Sequence, residues 1–311
     1  RCRSGEGSTV LYHRNGNFRD PVICNQKEGG RAVMGKKKAN IFIYVILGIL
    51  TVVVLYPLYF IVLNSFKGKF YISKQPFELP KGELFAGLTN YTNGLEQTGL
   101  IEAAGWSFFI TIVSVVLIIF FTSMTAYYVT RVKGKTTSVL YYLFVFSMVV
   151  PFQMVMFTMV DLADKFHLRN PLGMCILYLG FGAGLSVFMF SGFVKSIPLE
   201  IEEAAMIDGC NPLQTYFRVV FPILKPTAIT VAILNVMWIW NDFLLPYLVI
   251  GISTRYKTIP VVIQMLVGTN GNKDLGALMA MLVLSIVPIV IFYMACQKYI
   301  IEGVVAGAVK G

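Results

Sequence analysis

The feature that most constrains the fold is a series of apolar runs that are too long for a soluble protein. A helix needs about 20 apolar residues to cross the hydrocarbon core of a bilayer. Five uncharged runs reach this length, at residues 39–66, 103–130, 136–160, 170–194 and 275–297. A sixth, at residues 223–247, is uncharged except for Lys225 and Asp242 near its ends. The sequence therefore predicts an all-α polytopic membrane protein with six transmembrane helices.

The composition supports a membrane protein and argues against a nucleic-acid-binding protein. Hydrophobic residues make up 56% of the chain and charged residues only 14%, whereas charged residues are about 25% of a soluble domain. The formal net charge is +10, but no basic stripe alternates with aromatic residues, so we assign this charge to basic loops. We predict contact with membrane lipid and no nucleic-acid partner. The five cysteines lack CxxC spacing, so we predict neither a disulfide framework nor a metal site.

The ends of the chain permit two further predictions, one on the membrane side of the termini and one on residues 1–33. An even number of spans places both termini on one side. Lys and Arg are almost equally divided between the two sets of loops, but those on the N-terminal side crowd short segments beside the spans, which predicts cytoplasmic termini. Residues 1–33 are polar and precede Met34 and a run of lysines. We predict that residues 1–33 form a disordered extension and that residues 34–311 form a single transmembrane domain.

A polar segment at residues 198–226, called the polar island below, interrupts the apolar pattern. Its first half predicts a short helix, because a proline and acids are typical of a helix N-terminus. Gly209 predicts a left-handed stop at the other end. The proline and the acids are Pro198, Glu200, Glu202 and Glu203.

The second half of the polar island predicts a second short helix. Asn211, Pro212 and Gln214 have the spacing of an N-cap, a first helical residue and the third residue of a capping box. Pro222 is expected to interrupt this helix after about residue 220. The first helix contains acids and no bases, whereas helices that lie on anionic lipid place Lys and Arg toward the headgroups. We therefore predict a protein partner for the polar island.

A second candidate site lies at the end of the 223–247 run. Asp242 follows Trp238 and Asn241 closely and is expected near the outer membrane boundary. An aromatic ring can cover the apolar face of a sugar while amides and carboxylates bond its hydroxyls. The same residues are also typical of an aromatic belt at a membrane interface, and both interpretations stay open.

Three further segments have a structural and a functional interpretation. Gly180, Gly182 and Gly184, with Ser186, favour close helix packing, and a hinge in a moving helix is the alternative. Residues 134–136 spell the end of a P-loop, but Val129 stands where that motif requires glycine. Any ATP must therefore be bound by another chain. Residues 258–272 are apolar but too short to span, which predicts a re-entrant or interfacial element.

The polar island resembles the EAA signature of ABC-importer permeases. Glu203-Ala204-Ala205, Gly209 and the 219–222 segment have the spacing of EAA, G and I-x-L-P in that signature. Val219 and Phe221 replace its Ile and Leu by other apolar residues. Four shorter segments look like the carbohydrate-uptake branch, especially subunits of the maltose-transporter MalG type. They are Leu88-Thr89-Asn90-Tyr91, Ile207-Asp208-Gly209, Trp240-Asn241-Asp242-Phe243 and residues 303–311.

The resemblance implies a subunit of an ATP-driven sugar importer in a bacterial or archaeal cytoplasmic membrane. Such a permease pairs with a second permease subunit and receives sugar from an extracytoplasmic sugar-binding protein. A cytoplasmic ABC ATPase dimer binds ATP-Mg and hydrolyses it, so this chain is expected to bind no cofactor and to catalyse no reaction. The EAA segment sits in a cleft of the ATPase and couples its motion to alternating access.

The resemblance also assigns roles to residues of the polar island. Glu203 and Asp208 are expected to make polar contacts with the ATPase, and Ala204 and Ala205 to permit close packing. Gly209 allows the turn, and Pro222 completes the coupling motif. Trp238, Asn241 and Asp242 are the candidates for the substrate pathway.

Three alternatives to a sugar permease carry different expectations. The first is a permease for another solute class. A secondary transporter would need ionisable groups deep in the spans, and a membrane-embedded enzyme would need a catalytic cluster such as HExxH. The sequence has neither of these two features.

Overall fold

The computed structural model describes the backbone of residues 3–5, 8–11, 22–24, 26–251, 254–267 and 274–308, and the side chains of residues 41–251, 254–267 and 274–299. The chain divides into two units, residues 1–60 and residues 61–311. The first unit contains β1 (Arg3–Gly5), β2 (Ser8–Leu11) and β3 (Val22–Cys24), an antiparallel sheet in the order β1-β2-β3.

These strands depart from the all-α prediction. Their sequences are rich in the β-branched residues Thr, Val and Ile, which favour extended backbone. From Gln26 onward the described elements are helical. The predicted disorder of residues 1–33 stays a prediction, as does the single domain at residues 34–311.

Fourteen α-helices follow the strands in the part of the chain that the structure describes. They are α1 (Gln26–Ser65), α2 (Lys69–Lys74), α3 (Thr89–Thr98), α4 (Leu100–Arg131), α5 (Lys135–Ser147), α6 (Phe152–Lys165), α7 (Pro171–Val194), α8 (Leu199–Ile207), α9 (Pro212–Thr215), α10 (Phe221–Ile223), α11 (Lys225–Asn241), α12 (Leu244–Pro246), α13 (Ile259–Leu266) and α14 (Leu275–Ala308). A 3₁₀ turn covers Gly82–Leu84, and π-helical turns cover Tyr216–Val220 and Tyr247–Gly251.

Four of these helices are long and apolar enough to cross a membrane. They are Ile41–Ser65 within α1, the whole of α4, the whole of α7 and Leu275–Tyr299 within α14. Two further spans arise if each bent pair counts as one: α5 with α6, bent by 107°, and Pro212–Ile223 with α11, bent by 72°. The described residues therefore provide four to six spans.

The predicted span at residues 136–160 is not a straight helix. The chain leaves α5 at Met148 and enters α6 after Pro151, which has an extended backbone at φ −64° and ψ 136°. Proline has no N–H to donate within a helix and disfavours helical backbone in the residue before it. Pro151 therefore accounts for the break. The run was predicted as one straight span because it contains no charged residue.

The centre of the second unit is the packing of α4 along α7, with α5 and α11 against α7. Ile118 of α4 and Phe190 of α7 are both fully buried there. A Cβ added to Gly182 would lie 2.7 Å from the Cδ1 atom of Ile118, so a larger residue here would have to displace that side chain. The packing interpretation of the glycine series is thus supported at Gly182.

The loop after the first span is fixed by Asn90 and Tyr91. The Asn90 side-chain amide donates to the backbone oxygens of Ser65 and Lys67, both at 2.8 Å. The Tyr91 and Ser65 hydroxyls form a hydrogen bond of 2.7 Å. A Cβ on Gly276 would approach Asn90 Oδ1 to 2.4 Å, so the start of α14 packs closely on this amide. Two residues of the Leu88-Thr89-Asn90-Tyr91 segment therefore have a structural role.

The same loop encloses Lys67, whose side chain has no exposed surface. Its ammonium group donates to the backbone oxygens of Gln75 at 2.9 Å and Pro76 at 3.0 Å. Burial lowers the pKa of Lys67 from its ordinary value, and the nearby charge of Glu78 partly offsets this effect. Lys67 thus ties the end of the first span to the turn that follows α2.

The short apolar stretch at residues 258–272 contains α13. This helix has 8 residues, which is too few to span a bilayer. Its Ile259, Val261 and Val262 are buried, and the Ile259 amide donates to the Ser107 hydroxyl of α4 at 2.9 Å. Residues 268–272 of the predicted element lie outside the described residues.

Candidate functional site

The first helix of the polar island is α8. Pro198 is its N-cap residue, and Glu200 and Glu202 lie in its first turn. Acids at this end complement the positive end of the helix dipole. The sequence therefore forms a nine-residue helix with a favourable charge at its N-terminus.

The other end of α8 is closed by Gly209, as predicted. Gly209 has φ +88°, a left-handed conformation that residues with a Cβ disfavour. Its amide donates to the Met206 oxygen and the Cys210 amide donates to the Ala205 oxygen, both at 3.0 Å. This pair of bonds is the Schellman arrangement, which satisfies the last carbonyl groups of a helix. The turn therefore depends on the backbone of Gly209.

The second helix begins with the predicted capping box. The Asn211 side chain accepts from the Gln214 amide at 2.9 Å, and the Gln214 side chain accepts from the Asn211 amide at 3.0 Å. Pro212 occupies the first helical position, where its missing N–H is not needed. Both short helices of the polar island therefore carry the caps that the sequence predicts.

The interruption predicted near residue 220 lies about three residues later, at the 72° bend that follows Ile223. Helical structure continues through the π-helical turn Tyr216–Val220 and through α10 before bending into α11. The Phe221 amide donates to the Tyr216 oxygen, five residues back. Pro222 has no N–H, and the wider π-helical turn before it accommodates this loss without ending the helix.

The polar island exposes most of the residues named by the EAA pattern. Glu203, Ala204, Asp208 and Gly209 are exposed, as is Pro222 at the far end. Ala205, in contrast, is buried against the rest of the chain. Of the two alanines, only Ala204 therefore lies on the open face.

Apolar side chains are also exposed on the polar island. Ile207 is 86% exposed, Leu213 is 61% exposed and Met206 is 49% exposed. Exposed apolar side chains grouped with acids are typical of a surface that binds another protein. The sequence indicated Ile207 only as part of the Ile207-Asp208-Gly209 segment, and it did not indicate Met206 or Leu213.

Glu202 has a different environment from its neighbour Glu203. Only 4% of Glu202 is exposed, and its carboxylate binds Arg131 and Tyr127 of α4. From the sequence, Glu202 was expected only to complement the helix dipole at the N-terminus of α8. An arginine at the end of an apolar span was the available signal for this contact.

The second candidate site is centred on Tyr178, which the sequence did not indicate. The Tyr178 hydroxyl donates to Asp242 Oδ2 at 3.1 Å, and the Trp238 ring meets the Tyr178 ring edge to face at 5.4 Å between centroids. Asp242 Oδ1 also accepts from the Leu244 amide at 3.0 Å. The Asn241 amide donates to the Met237 oxygen instead. The structure thus joins Trp238 and Asp242 through Tyr178 and leaves Asn241 apart.

Comparison with known proteins identifies the family. Residues 118–305 match the model of the binding-protein-dependent transport system inner membrane component. This segment covers more than half of the chain and includes the whole polar island. The chain belongs to this family of transport permeases.

Individual relatives agree with this assignment over nearly the whole chain. The chain is 39% identical over 278 residues to a protein of Thermoanaerobacterium thermosulfurigenes named "Probable starch degradation products transport system permease protein AmyC", covering 89% of this chain and 100% of that protein. It is 34% identical over 283 residues to the "Multiple sugar-binding transport system permease protein MsmG" of Streptococcus mutans, covering 88% and 99%.

A solved structure supports the permease fold. A chain of a bacterial ABC transporter involved in the import of the acidic polysaccharide alginate superposes with a TM-score of 0.71. It is 23% identical and covers 85% of this chain and 97% of its own length. At this identity the likeness concerns the fold, and it agrees with a permease that has several membrane helices.

The capping box of the permease permits a first prediction. Replacing Asn211 by Ala is expected to destabilise α9 by about 1 kcal/mol, because the Gln214 amide loses its acceptor. Amide hydrogen exchange at residues 213–215 should then be faster by about fivefold. Asn211→Ser is the matched control, since Ser also caps helices. Equal exchange in the Ala and Ser variants would contradict a role for the cap.

Proposed function

We propose that this chain is the permease subunit of an ATP-driven, binding-protein-dependent sugar importer. Its relatives AmyC and MsmG are named as permeases for starch degradation products and for multiple sugars. The observation that carries the proposal is the polar island. It presents acids and apolar side chains on two capped helices joined at Gly209, at the spacing of the EAA signature.

In this proposal the polar island couples the permease to a cytoplasmic ABC ATPase dimer. Glu203 and Asp208 supply polar contacts, Ile207 supplies apolar contact, and Ala204 lets the partner's backbone approach. The ATPase dimer binds ATP-Mg and does the chemistry, and this chain binds no cofactor. Its Gly134-Lys135-Thr136 segment forms the N-cap and first turn of α5, and it follows a helix instead of the strand that a P-loop requires.

The remaining partners follow from the same proposal. A second permease subunit completes the translocation path, and an extracytoplasmic sugar-binding protein delivers the substrate. Both termini lie in the cytoplasm of a bacterial or archaeal cell. The path includes Trp238 and Asp242, where the indole ring covers the apolar face of a sugar and the carboxylate accepts from its hydroxyls.

The proposal is tested by reconstitution of the complete transporter in vesicles. Uptake of labelled malto-oligosaccharide is measured with ATP, with a non-hydrolysable ATP analogue, and with an ion gradient alone. We expect uptake only with hydrolysable ATP and only with the binding protein present. Uptake driven by the ion gradient alone would show a secondary transporter. ATP-driven uptake of a different solute, without competition by sugars, would overturn the sugar assignment.

Charge reversal at Glu203 gives a second prediction. Glu203→Lys is expected to leave membrane insertion intact and to lower the uptake per ATP by about tenfold, within the usual range of coupling between distant sites. The ratio of labelled sugar to released phosphate measures this effect. Glu200→Lys is the matched control, since it makes the same change on the same exposed helix. Equal losses in the two variants would indicate a general charge effect and contradict a specific contact by Glu203.

A further inference from the structure

A buried cluster joins the polar island to the end of the membrane helix α4. Arg131 binds Glu202 Oε1 through Nη2 at 2.6 Å and through Nε at 2.8 Å. The Tyr127 hydroxyl donates to Glu202 Oε2 at 2.9 Å. Arg131 Nη2 also donates to the Ile197 oxygen at 2.9 Å, in the segment that leads into α8. Both oxygens of the Glu202 carboxylate are thus occupied by α4.

A second contact joins the other half of the polar island to the same helix. The Ser123 and Tyr216 hydroxyls lie 2.6 Å apart and form a buried hydrogen bond. The Tyr216 ring also packs against the Tyr127 ring, with 5.3 Å between centroids. Tyr216 lies in the π-helical turn that follows α9. Each half of the polar island is therefore attached to α4 by its own polar bond.

These attachments form one stripe on α4. Ser123, Tyr127 and Arg131 are four residues apart and therefore lie on the same helix face. Arg131 is in the last turn of α4 and Glu202 is in the first turn of α8, so each charge also complements its own helix dipole. The geometry aligns two helix ends through one ion pair.

The position of α8 depends on this stripe. A helix of nine residues is too short to be stable on its own in water. The ion pair that holds it is largely shielded from solvent, because the Arg131 and Glu202 side chains are 16% and 5% exposed. Such a pair is little screened, and removing one partner leaves a buried charge without compensation. Loss of either partner is therefore expected to cost more stability than loss of a surface salt bridge.

We propose that Ser123, Tyr127 and Arg131 form a transmission stripe through which α4 receives the motion of the polar island. The inference rests on the proposed function, since the motion is that imposed by the ATPase. A force on the exposed face of α8 is passed through Glu202 to Arg131 and then along α4. Because α4 packs along α7, the two central helices move together. Arg131, Tyr127 and Glu202 are positioning residues and do not contact substrate.

The test uses the complete transporter in vesicles, with uptake and ATP hydrolysis measured together. Glu202→Gln and Arg131→Gln are expected to keep ATP hydrolysis and to lower the uptake per ATP by about tenfold. Amide exchange in α8 should rise in both variants, while exchange in the centre of α4 stays unchanged. Glu200→Gln, two residues earlier in α8 and exposed, should match the wild type in both measurements.

The outcomes separate the two proposals. Absence of ATP-driven uptake in the wild type would overturn the proposed function. If wild-type uptake is normal and the uptake per ATP is unchanged in Glu202→Gln and Arg131→Gln, the transmission stripe alone would be overturned. If these variants are missing from the membrane, Tyr127→Phe and Ser123→Ala test the transmission stripe instead. Each removes one hydroxyl and leaves the ion pair intact. We expect a lower uptake per ATP in both variants, and an unchanged uptake per ATP in both would overturn the transmission stripe.

Discussion

In a transporter that carries Gly209→Pro, we expect membrane levels close to wild type and uptake reduced by about tenfold or more, with continued ATP hydrolysis. Gly209 has φ +88°, whereas proline is fixed near −65°. Proline also removes the amide that donates to Met206. The Schellman arrangement is then lost. Because α8 loses its stop, the exposed residues beside it change position relative to the ATPase.

A graded series at Gly209 isolates the backbone as the cause. A Cβ added there meets no atom within 4 Å, so this chain offers no steric clash to a small side chain. Gly209→Ala should cost about 1–2 kcal/mol through the left-handed conformation alone. Gly209→Asn should cost less, because Asn adopts this conformation more readily. The uptake per ATP should follow the order Gly, Asn, Ala, Pro. Equal uptake in the Ala and Asn variants would contradict the conformational argument.

The caps of the polar island were predictable because they are local. Gly209 and the Asn211–Gln214 pair act on backbone groups within a few residues, so their chemistry is visible in a short sequence window. The same locality explains the error at Pro222. A proline usually ends a helix, but the π-helical turn before it has to be known to see that the helix continues.

The burial of Glu202 was not predictable in this way. Glu202 and Glu203 are neighbours with the same chemistry, yet Glu202 is buried and Glu203 is exposed. The difference depends on Arg131, which is far away in the sequence and adjacent only after α4 and α8 pack. The Tyr178–Asp242 contact has the same origin, since it joins α7 to the end of α11. Tertiary contacts of single residues leave no periodic signal in the sequence.

The membrane spans lie between these two cases. Long apolar runs predicted where helices lie, because the bilayer thickness sets their length. They did not predict that the 136–160 run forms two helices bent by 107°, since an absence of charge says nothing about the direction of the helix axis. Pro151 was the overlooked signal. The side of the membrane that each loop faces stays a prediction, since it depends on a nearly even distribution of Lys and Arg.

Replacing Gly184 by Val is expected to destabilise the membrane part of the chain strongly. A Cβ at this position would lie 2.7 Å from the Phe144 oxygen and 2.6 Å from Ser147 Oγ, both on α5. The Phe144 oxygen is a backbone atom and cannot move without shifting α5. We expect a loss of about 3 kcal/mol in stability, at the upper end of the usual cost of overpacking. Thermal unfolding in detergent measures this loss as a lower melting temperature.

Gly180→Val is the matched control, because it makes the same change one turn earlier on α7. A Cβ at Gly180 meets nothing within 4 Å. The stability of this variant should stay within about 0.5 kcal/mol of the wild type, so its melting temperature should change little. A similar fall in both variants would mean that α7 needs flexible glycines, as the hinge interpretation requires. A fall in Gly184→Val alone would instead mean that α5 and α7 pack too closely for any side chain at residue 184.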